Sequence, residues 1–317
     1  MSLPRVPRPR PGGAGTAPAP AAPEPALRTL SLGAGVQSTT LLLLSALGEL
    51  PKLDYAIFAD TRWEPTQVYA HLDRIEHEIA RPASIPILRV SSGDIRADAL
   101  NPEHRFASMP LYIRNPDGGN GMARRQCTSE YKIKPIKRQV RALLGYPYPA
   151  RVPSGVVVEQ WIGISTDEFH RAKDADVRYT RNRFPLIEMG LSREDCLGLL
   201  AEFDLASTPK SACLGCPYHG NAQWRAIRDT SPAAWADVVD FDRRIRAGNA
   251  RANAEGRPLL GQAFLHRSRV PLDQAPIDKP TRHELLARQD RLPLDDEWEH
   301  GPTDGCSPYA CRSGDAA

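Results

Sequence analysis

Two hydrophobic periods take turns along the first two hundred residues. Leu27 to Leu32 is a short apolar run that reads as a strand, and Ser38 to Leu47 reads as a helix. "LDYAIFAD" (Leu53 to Asp60) has the continuous apolar character of a strand buried on both faces. The polar "EPTQVYAHLDRIEHEIA" that follows is helical, and "IPILRVS" (Ile85 to Ser91) supplies a third strand. A helix is expected over Tyr131 to Leu144 and a fourth strand in "VVVEQWIGIS" (Val156 to Ser165). Ser192 caps a helix "REDCLGLLAEF", with Glu194 and Asp195 in the first turn where the helix dipole favours acids. Alternation of this kind predicts an α/β fold: a doubly wound, mostly parallel sheet with helices on both faces.

Other stretches break the rhythm. "MPLYIRNPDGGNGMARRQC" is too polar for core and too long for a connector, so it reads as a binding loop. Beyond "SACLGCPYHG" the chain reads as mostly helical to about Gly256, a helical C-terminal extension. The expected organisation is a Pro/Ala-rich disordered tail over 1–26, a nucleotide-binding α/β domain over 27–200, a Cys-x-x-Cys loop with helices over 201–280, and a polar tail over 281–317.

Composition narrows the function class without choosing it. The 317 residues are 41% hydrophobic and 25% charged, ordinary for a globular protein. No apolar run approaches the roughly 18–20 residues of a membrane span, and the N-terminus lacks the apolar core of a secretory signal, so a cytoplasmic protein is expected. A net charge of +3 is too weak to argue for nucleic acid, although Arg124 to Arg141 is a local basic patch. Six cysteines (127, 196, 213, 216, 306 and 311) read as metal or redox groups, with Cys196 inside a helix pattern as core.

"SLGAGVQST" (Ser31 to Thr39) lies between the first strand and the first helix, where phosphates are held in α/β folds. Gly33 and Gly35 let backbone approach an anion, the helix N-terminus offers N–H donors, and Ser38 and Thr39 add hydroxyls. Lacking a Walker Lys and a third dinucleotide-type glycine, it is also compatible with a glycine turn that binds nothing.

This stretch resembles the pyrophosphate loop, Ser-Gly-Gly-x-Asp-Ser, of the adenine-nucleotide alpha-hydrolase (PP-loop) superfamily. That group includes the N-type ATP pyrophosphatases and phosphoadenylyl-sulfate reductases, whose fold is of the Rossmann-like HUP class. Gly33, Ala34, Gly35, Val36, Gln37 and Ser38 take the six motif positions, with departures at Gly33, Ala34 and Gln37. Five further segments resemble the reductases in the same order: "FADTRWEPTQVYAHL", "CTSEYKIKPIKR", "WIGISTDEFHRAK", "RFPLIEMGLSREDCLGLLAE" and "CLGCP". The resemblance covers roughly Leu27 to His219.

The resemblance implies ATP or an adenylyl sulfate as ligand, with magnesium. Ser31, Gly33, Ala34, Gly35, Gln37, Ser38 and Thr39 would hold phosphates, and Asp60 and Thr61 would meet ribose and adenine. A helix cap at Asp60 or Thr61 fits the same fold. Arg124, Arg125, Lys132 and Arg171 are candidates for phosphate or sulfate oxygens, and Glu168 accompanies Arg171 in the matched Gly-x-x-x-x-Glu-x-x-Arg segment. Gln37 stands where an ATP-cleaving member would carry an acid near magnesium; amide oxygen is a poorer ligand for a hard cation. It therefore points towards the reductase branch or altered metal handling, or else is an exposed helix-terminal Gln.

Cys213 and Cys216 can share one metal, and Gly215 permits the turn between them. The resemblance brings Cys127 to the same edge, giving a trio like that holding a [4Fe–4S] cluster in sulfur-transferring tRNA thiolases. Structural zinc on Cys127, Cys213, Cys216 and His219, and free or redox thiols, remain alternatives. Cys306 and Cys311 lack the reductases' Glu-Cys-Gly-x-His motif. The expected function is ATP-dependent adenylylation and sulfur transfer to an acceptor (tRNA, DNA or a small molecule), with Cys127, Cys213, Cys216 and Arg171 at the chemistry. A cysteine desulfurase or thiol donor would supply sulfur, and a homodimer is an open expectation. Reduction of phosphoadenylyl sulfate and a non-catalytic zinc-containing nucleic-acid-binding module are the rival readings.

Overall fold

The computed structural model describes residues 24–105, 108–281 and 284–285. Of the tails expected over 1–26 and 281–317, residues 1–23, 282–283 and 286–317, with Cys306 and Cys311, lie outside the described residues. In chain order the elements are β1 (Leu27–Leu32), α1 (Val36–Ala46), β2 (Tyr55–Asp60), α2 (Thr66–Ile75), β3 (Ile87–Ser91), α3 (Ile95–Leu100), β4 (Tyr112–Arg114), β5 (Asn120–Met122), α4 (Lys134–Leu143), β6 (Val158–Ile162), β7 (Thr180–Arg183), α5 (Pro185–Glu188), α6 (Arg193–Glu202), α7 (Asn221–Thr230), α8 (Pro232–Arg244), α9 (Ala250–Ala254) and β8 (Gln262–Phe264). Among the described residues, no helix is long and apolar enough to cross a membrane.

The described residues fall into two compact units. Of these residues, one unit takes 24–58, 71–88 and 137–209; the other takes 59–70, 89–105, 108–136, 210–281 and 284–285. The first is built on a five-stranded sheet of order β3-β2-β1-β6-β7. β1 runs parallel to both β2 and β6, and β6 parallel to β7. Strand order therefore reverses at β1, the feature that opens a crevice beyond the carboxyl ends of the strands flanking it. Leu30, Leu32, Ile57, Phe58, Trp161 and Ile162 are buried, as expected of strands covered on both faces.

The centre of that sheet also carries a polar stripe. The Thr29 hydroxyl donates to Gln160 Oε1 at 3.0 Å, and Gln160 Nε2 donates to Ser31 Oγ at 3.0 Å. All three side chains are buried and hydrogen-bonded to one another, which offsets the cost of burying them. At the edge, β7 reads "TRNR" and has no apolar residue. Charged side chains suit an exposed edge, and Arg181 and Arg183 reach back to Glu159 of β6 at 3.0 and 3.2 Å.

The second unit holds a three-stranded antiparallel sheet, β5-β4-β8. Its apolar cluster is centred on Trp63, Tyr131, Trp224 and Phe241, with Leu214, Ile113, Val238 and Leu265. Here the structure corrects the reading of "MPLYIRNPDGGNGMARRQC" as loop throughout. The Asn115 N–H donates to Gly119 O at 2.9 Å, closing a hairpin between β4 and β5, and β8 pairs on the other side of β4. Strands of three residues are too short to show a period of two. The helix expected from Tyr131 begins instead as a π-helical turn, Ser129–Ile133, which passes into α4.

Candidate functional site

In the first unit the turn from β1 to α1 gathers most of the residues expected to hold phosphates. Ala34 lies in the left-handed region, with φ of 55°, and is fully buried. This is the second motif position, where the resembled loop carries glycine; a Cβ there costs roughly 1 kcal/mol. Gly35 is the extended residue before α1. The N–H groups of Gly33 and Gly35 both point at Ser38 Oγ, at 3.2 and 3.3 Å, and the hydroxyl in turn donates to Gly35 O at 3.2 Å. Two backbone donors converging on one oxygen at a helix N-terminus form an anion-type nest, with the serine oxygen in the acceptor's place.

Gln37 is the largest departure from expectation. It is not an exposed helix-terminal Gln: only 4% of it is accessible. Its Nε2 donates to Ser165 Oγ at 3.0 Å and to Glu168 Oε2 at 2.9 Å. Glu168 is equally buried and its other oxygen is paired with the buried Arg171. Residue 37 is therefore a neutral donor to a carboxylate already matched by one guanidinium.

Gly163, at the end of β6, makes this approach feasible. A Cβ on it would stand 2.9 Å from Ser38 N and 3.1 Å from the Gln37 carbonyl carbon. Gly163, Glu168 and Arg171, the three fixed positions of the matched "WIGISTDEFHRAK" segment, thus meet the first turn of α1 or its partner carboxylate. Sequence reasoning did not select Gly163 or Ser165 as site residues, although both sit within that quoted segment. Ser31 and Thr39 face inwards: Ser31 Oγ accepts from Gln160, and Thr39 Oγ1 lies 3.1 Å from His71 Nε2. Burial pushes His71 down to about 4, which leaves the imidazole neutral at pH 7.

The second unit gathers the remaining candidates. Asp60, at the end of β2, accepts from the Arg62 N–H at 2.7 Å and the Tyr69 hydroxyl at 2.8 Å, an Asx-type turn. Burial and the Asp60 carboxylate raise the Tyr69 phenol well above its ordinary value. Thr61 is buried, and its hydroxyl lies 2.9 Å from Glu64 Oε1 and 3.4 Å from Cys213 Sγ. The Cys213 thiol lies 3.6 Å from the same Glu64 oxygen, and Lys132 Nζ stands 3.8 Å from it. Glu64 Oε2 is buried without a hydrogen-bond partner among the described residues. Glu64 was absent from the sequence-based site; its signal was an acid three residues after Thr61, directly before Pro65.

The Cys-x-x-Cys turn is docked on Trp63. The Leu214 N–H donates to Trp63 O at 2.7 Å, and a Cβ on Gly215 would fall 2.0 Å from the indole ring. Glycine is needed there for space. Arg125 stacks over Tyr218 at 4.8 Å, Arg124 is exposed, and Cys127 packs against the unit's apolar cluster. Cys127, Cys196, Cys213 and Cys216 are thiols, not disulfides.

The thiol donors suit a soft metal. Among the described residues, no group of three or more His, Cys, Asp or Glu side chains is placed to hold a metal ion. His219 does not fit as a zinc ligand: its Nε2 is 3.0 Å from Cys213 O and its Nδ1 is 3.2 Å from Gln223 Oε1. Both ring nitrogens are engaged. No family model and no curated protein matches the chain.

Proposed function

We propose that the chain is a PP-loop-type enzyme that binds an adenine nucleotide by its phosphates at the β1–α1 turn and carries out sulfur chemistry with its cysteines. The observation that carries this reading is the convergence of the Gly33 and Gly35 N–H groups on one oxygen at the head of α1. Its place supports the reading: β1 is where strand order reverses, and ligands of doubly wound sheets bind at that point. Further support comes from Gly163 and Glu168, which meet the first turn of α1, and from Arg171, which pairs with Glu168.

In the ATP-dependent version, an acceptor oxygen attacks the α-phosphorus. The bond from that phosphorus to the pyrophosphate oxygen breaks, and pyrophosphate leaves against the loop N–H groups and the positive end of the α1 dipole. A sulfur nucleophile then forms a bond to the acceptor as AMP departs with the activated oxygen. The chain's own work is positioning and charge neutralisation. Arg171 acts through Glu168 and Gln37 and is a positioning residue here. Residue 37 is an amide and Glu168 is engaged by Arg171, so the loop presents no carboxylate to magnesium, which would arrive with the nucleotide.

A second reading is favoured by that same amide: a loop without an acid suits a bound adenylyl sulfate better than ATP cleavage. There a cysteine thiolate attacks the sulfonyl sulfur and the nucleotide phosphate leaves. A second thiol then displaces sulfite, and the two thiols end as a disulfide, having supplied the two electrons. Cys213 and Cys216 are the pair for this step.

One assay separates the readings. Anaerobically purified protein is offered ATP and phosphoadenylyl sulfate in parallel, with pyrophosphate, sulfite and metal content measured. Pyrophosphate release with an added acceptor supports adenylylation, and sulfite release supports the reductase. Failure to bind either nucleotide would refute both.

A further inference from the structure

A cavity of about 430 Å³ in the second unit is lined by Asn221, His266, Arg267, Ser268, Lys279 and Thr281, among others. We propose that it is a binding site for a phosphate-bearing ligand, held by Arg267 and Lys279. This goes beyond the nucleotide reading of the β1–α1 turn and does not depend on it.

The wall of the cavity is fixed by hydrogen bonds whose directions can be assigned. Asn221 Nδ2 donates to Pro276 O at 3.1 Å and to Lys279 O at 2.8 Å. That orientation leaves Asn221 Oδ1 facing His266 Nε2 at 3.0 Å, so Nε2 carries the imidazole proton. His266 Nδ1 is then an acceptor, receiving the Ser268 N–H at 3.1 Å and the Ser268 hydroxyl at 2.7 Å. Burial lowers the His266 pKa to about 4, and the charge of Arg267 adds to the effect. The imidazole is neutral at pH 7 and contributes shape and order, not charge. Asn221 and His266 are 4% and 2% exposed, and both are fully hydrogen-bonded, so the site is preformed.

Charge then decides the ligand class. The neighbouring acids already have cationic partners: Asp278 takes two hydrogen bonds from Arg228, at 2.9 and 2.8 Å, and Glu284 is paired with Arg225. Glu284 also accepts from the Thr281 N–H and hydroxyl, at 2.8 and 2.9 Å. Arg267 and Lys279 pair with no carboxylate among the described residues, so the described lining carries two positive charges without an acidic partner. A guanidinium and an ammonium lining one cavity match a doubly charged phosphate group. The volume exceeds that of inorganic phosphate and leaves room for a larger molecule that carries the phosphate at one end. That molecule is either a phosphorylated metabolite or the 5′ end of a nucleic acid.

The test removes the other phosphate site first. In a Gly35→Asp background, which places a carboxylate at the head of α1, binding of inorganic pyrophosphate and of a short 5′-phosphorylated oligonucleotide is measured by calorimetry at low salt. The proposal predicts one saturable site, weakened about tenfold by Arg267→Gln or Lys279→Gln and abolished by both, with the thermal midpoint unchanged. Binding by pyrophosphate alone identifies a small-molecule source. Tighter binding of the oligonucleotide than of its unphosphorylated form identifies a nucleic-acid end. No binding in this background, or binding indifferent to both substitutions, overturns the proposal.

Discussion

Replacing Gln37 by Glu exchanges a neutral donor for a second carboxylate inside a closed network. The Gln37 amide nitrogen sits 2.9 Å from Glu168 Oε2, in a site where residue 37 is 4% exposed and residue 168 is 2% exposed. A carboxylate of the same length sets two negative charges about 3 Å apart. At an effective dielectric constant of about 20, their repulsion is roughly 5 kcal/mol. Arg171 offsets part of this, and proton uptake by the pair limits the rest, leaving a predicted loss of about 2–4 kcal/mol at pH 8. The pH dependence has a definite sign. The crowded pair holds a proton above the ordinary carboxylate range of about 4, so the folded variant binds more protons than its unfolded chain. Its deficit relative to wild type is full at pH 8 and shrinks as pH falls towards 5. Urea unfolding of both proteins at four pH values between 5 and 8 reads this directly. Gln37→Met, which removes the donor without adding charge, should cost about 1–3 kcal/mol with no such trend. A Gln37→Glu protein as stable as wild type at pH 8 would refute the network.

Three other predictions follow from the same packing. Gly163→Ala puts a methyl 2.9 Å from Ser38 N, and is expected to cost about 1–3 kcal/mol in urea unfolding and to weaken nucleotide binding, because α1 must move. Gly215→Ala, with a methyl 2.0 Å from the Trp63 ring, should displace the indole from Asp237, whose carboxylate it meets at 2.8 Å; a shift in Trp fluorescence checks this. His71 and His266, both held near 4 by burial, titrate higher in the unfolded chain. Stability should therefore be complete above about pH 6.5 and fall as pH drops towards 4, by roughly 1 kcal/mol per unit for each, seen as a declining thermal midpoint.

The strands that were legible are those whose apolar runs are long. Leu27–Leu32, Tyr55–Asp60 and Val158–Ile162 were expected at or within a few residues of their observed bounds, since each is buried on both faces. β7 was invisible because an edge strand needs no apolar residue, and "TRNR" has none. β4, β5 and β8 were invisible because three residues carry no period. At the candidate site, the glycine turn could be read from its spacing, but Gln37 could not. Its partner Glu168 lies 131 residues away, and only the fold shows that residue 37 answers a buried carboxylate. Glu64 was missed for a similar reason: Cys213 is 149 positions distant in sequence. The cysteine spacing could be read from the sequence, but the Thr61 hydroxyl and Glu64 carboxylate beside Cys213 could not.

The central claim, that the β1–α1 turn holds nucleotide phosphates, is met most directly by one calorimetric comparison of wild type and Gly35→Asp. Aspartate is a favourable residue before a helix, so the variant should fold with equal or higher stability, while its carboxylate repels a phosphate from the nest. The account predicts saturable binding of ATP or adenylyl sulfate to the wild type and at least a hundredfold weaker binding to the variant. Equal nucleotide affinity in the two proteins would contradict it.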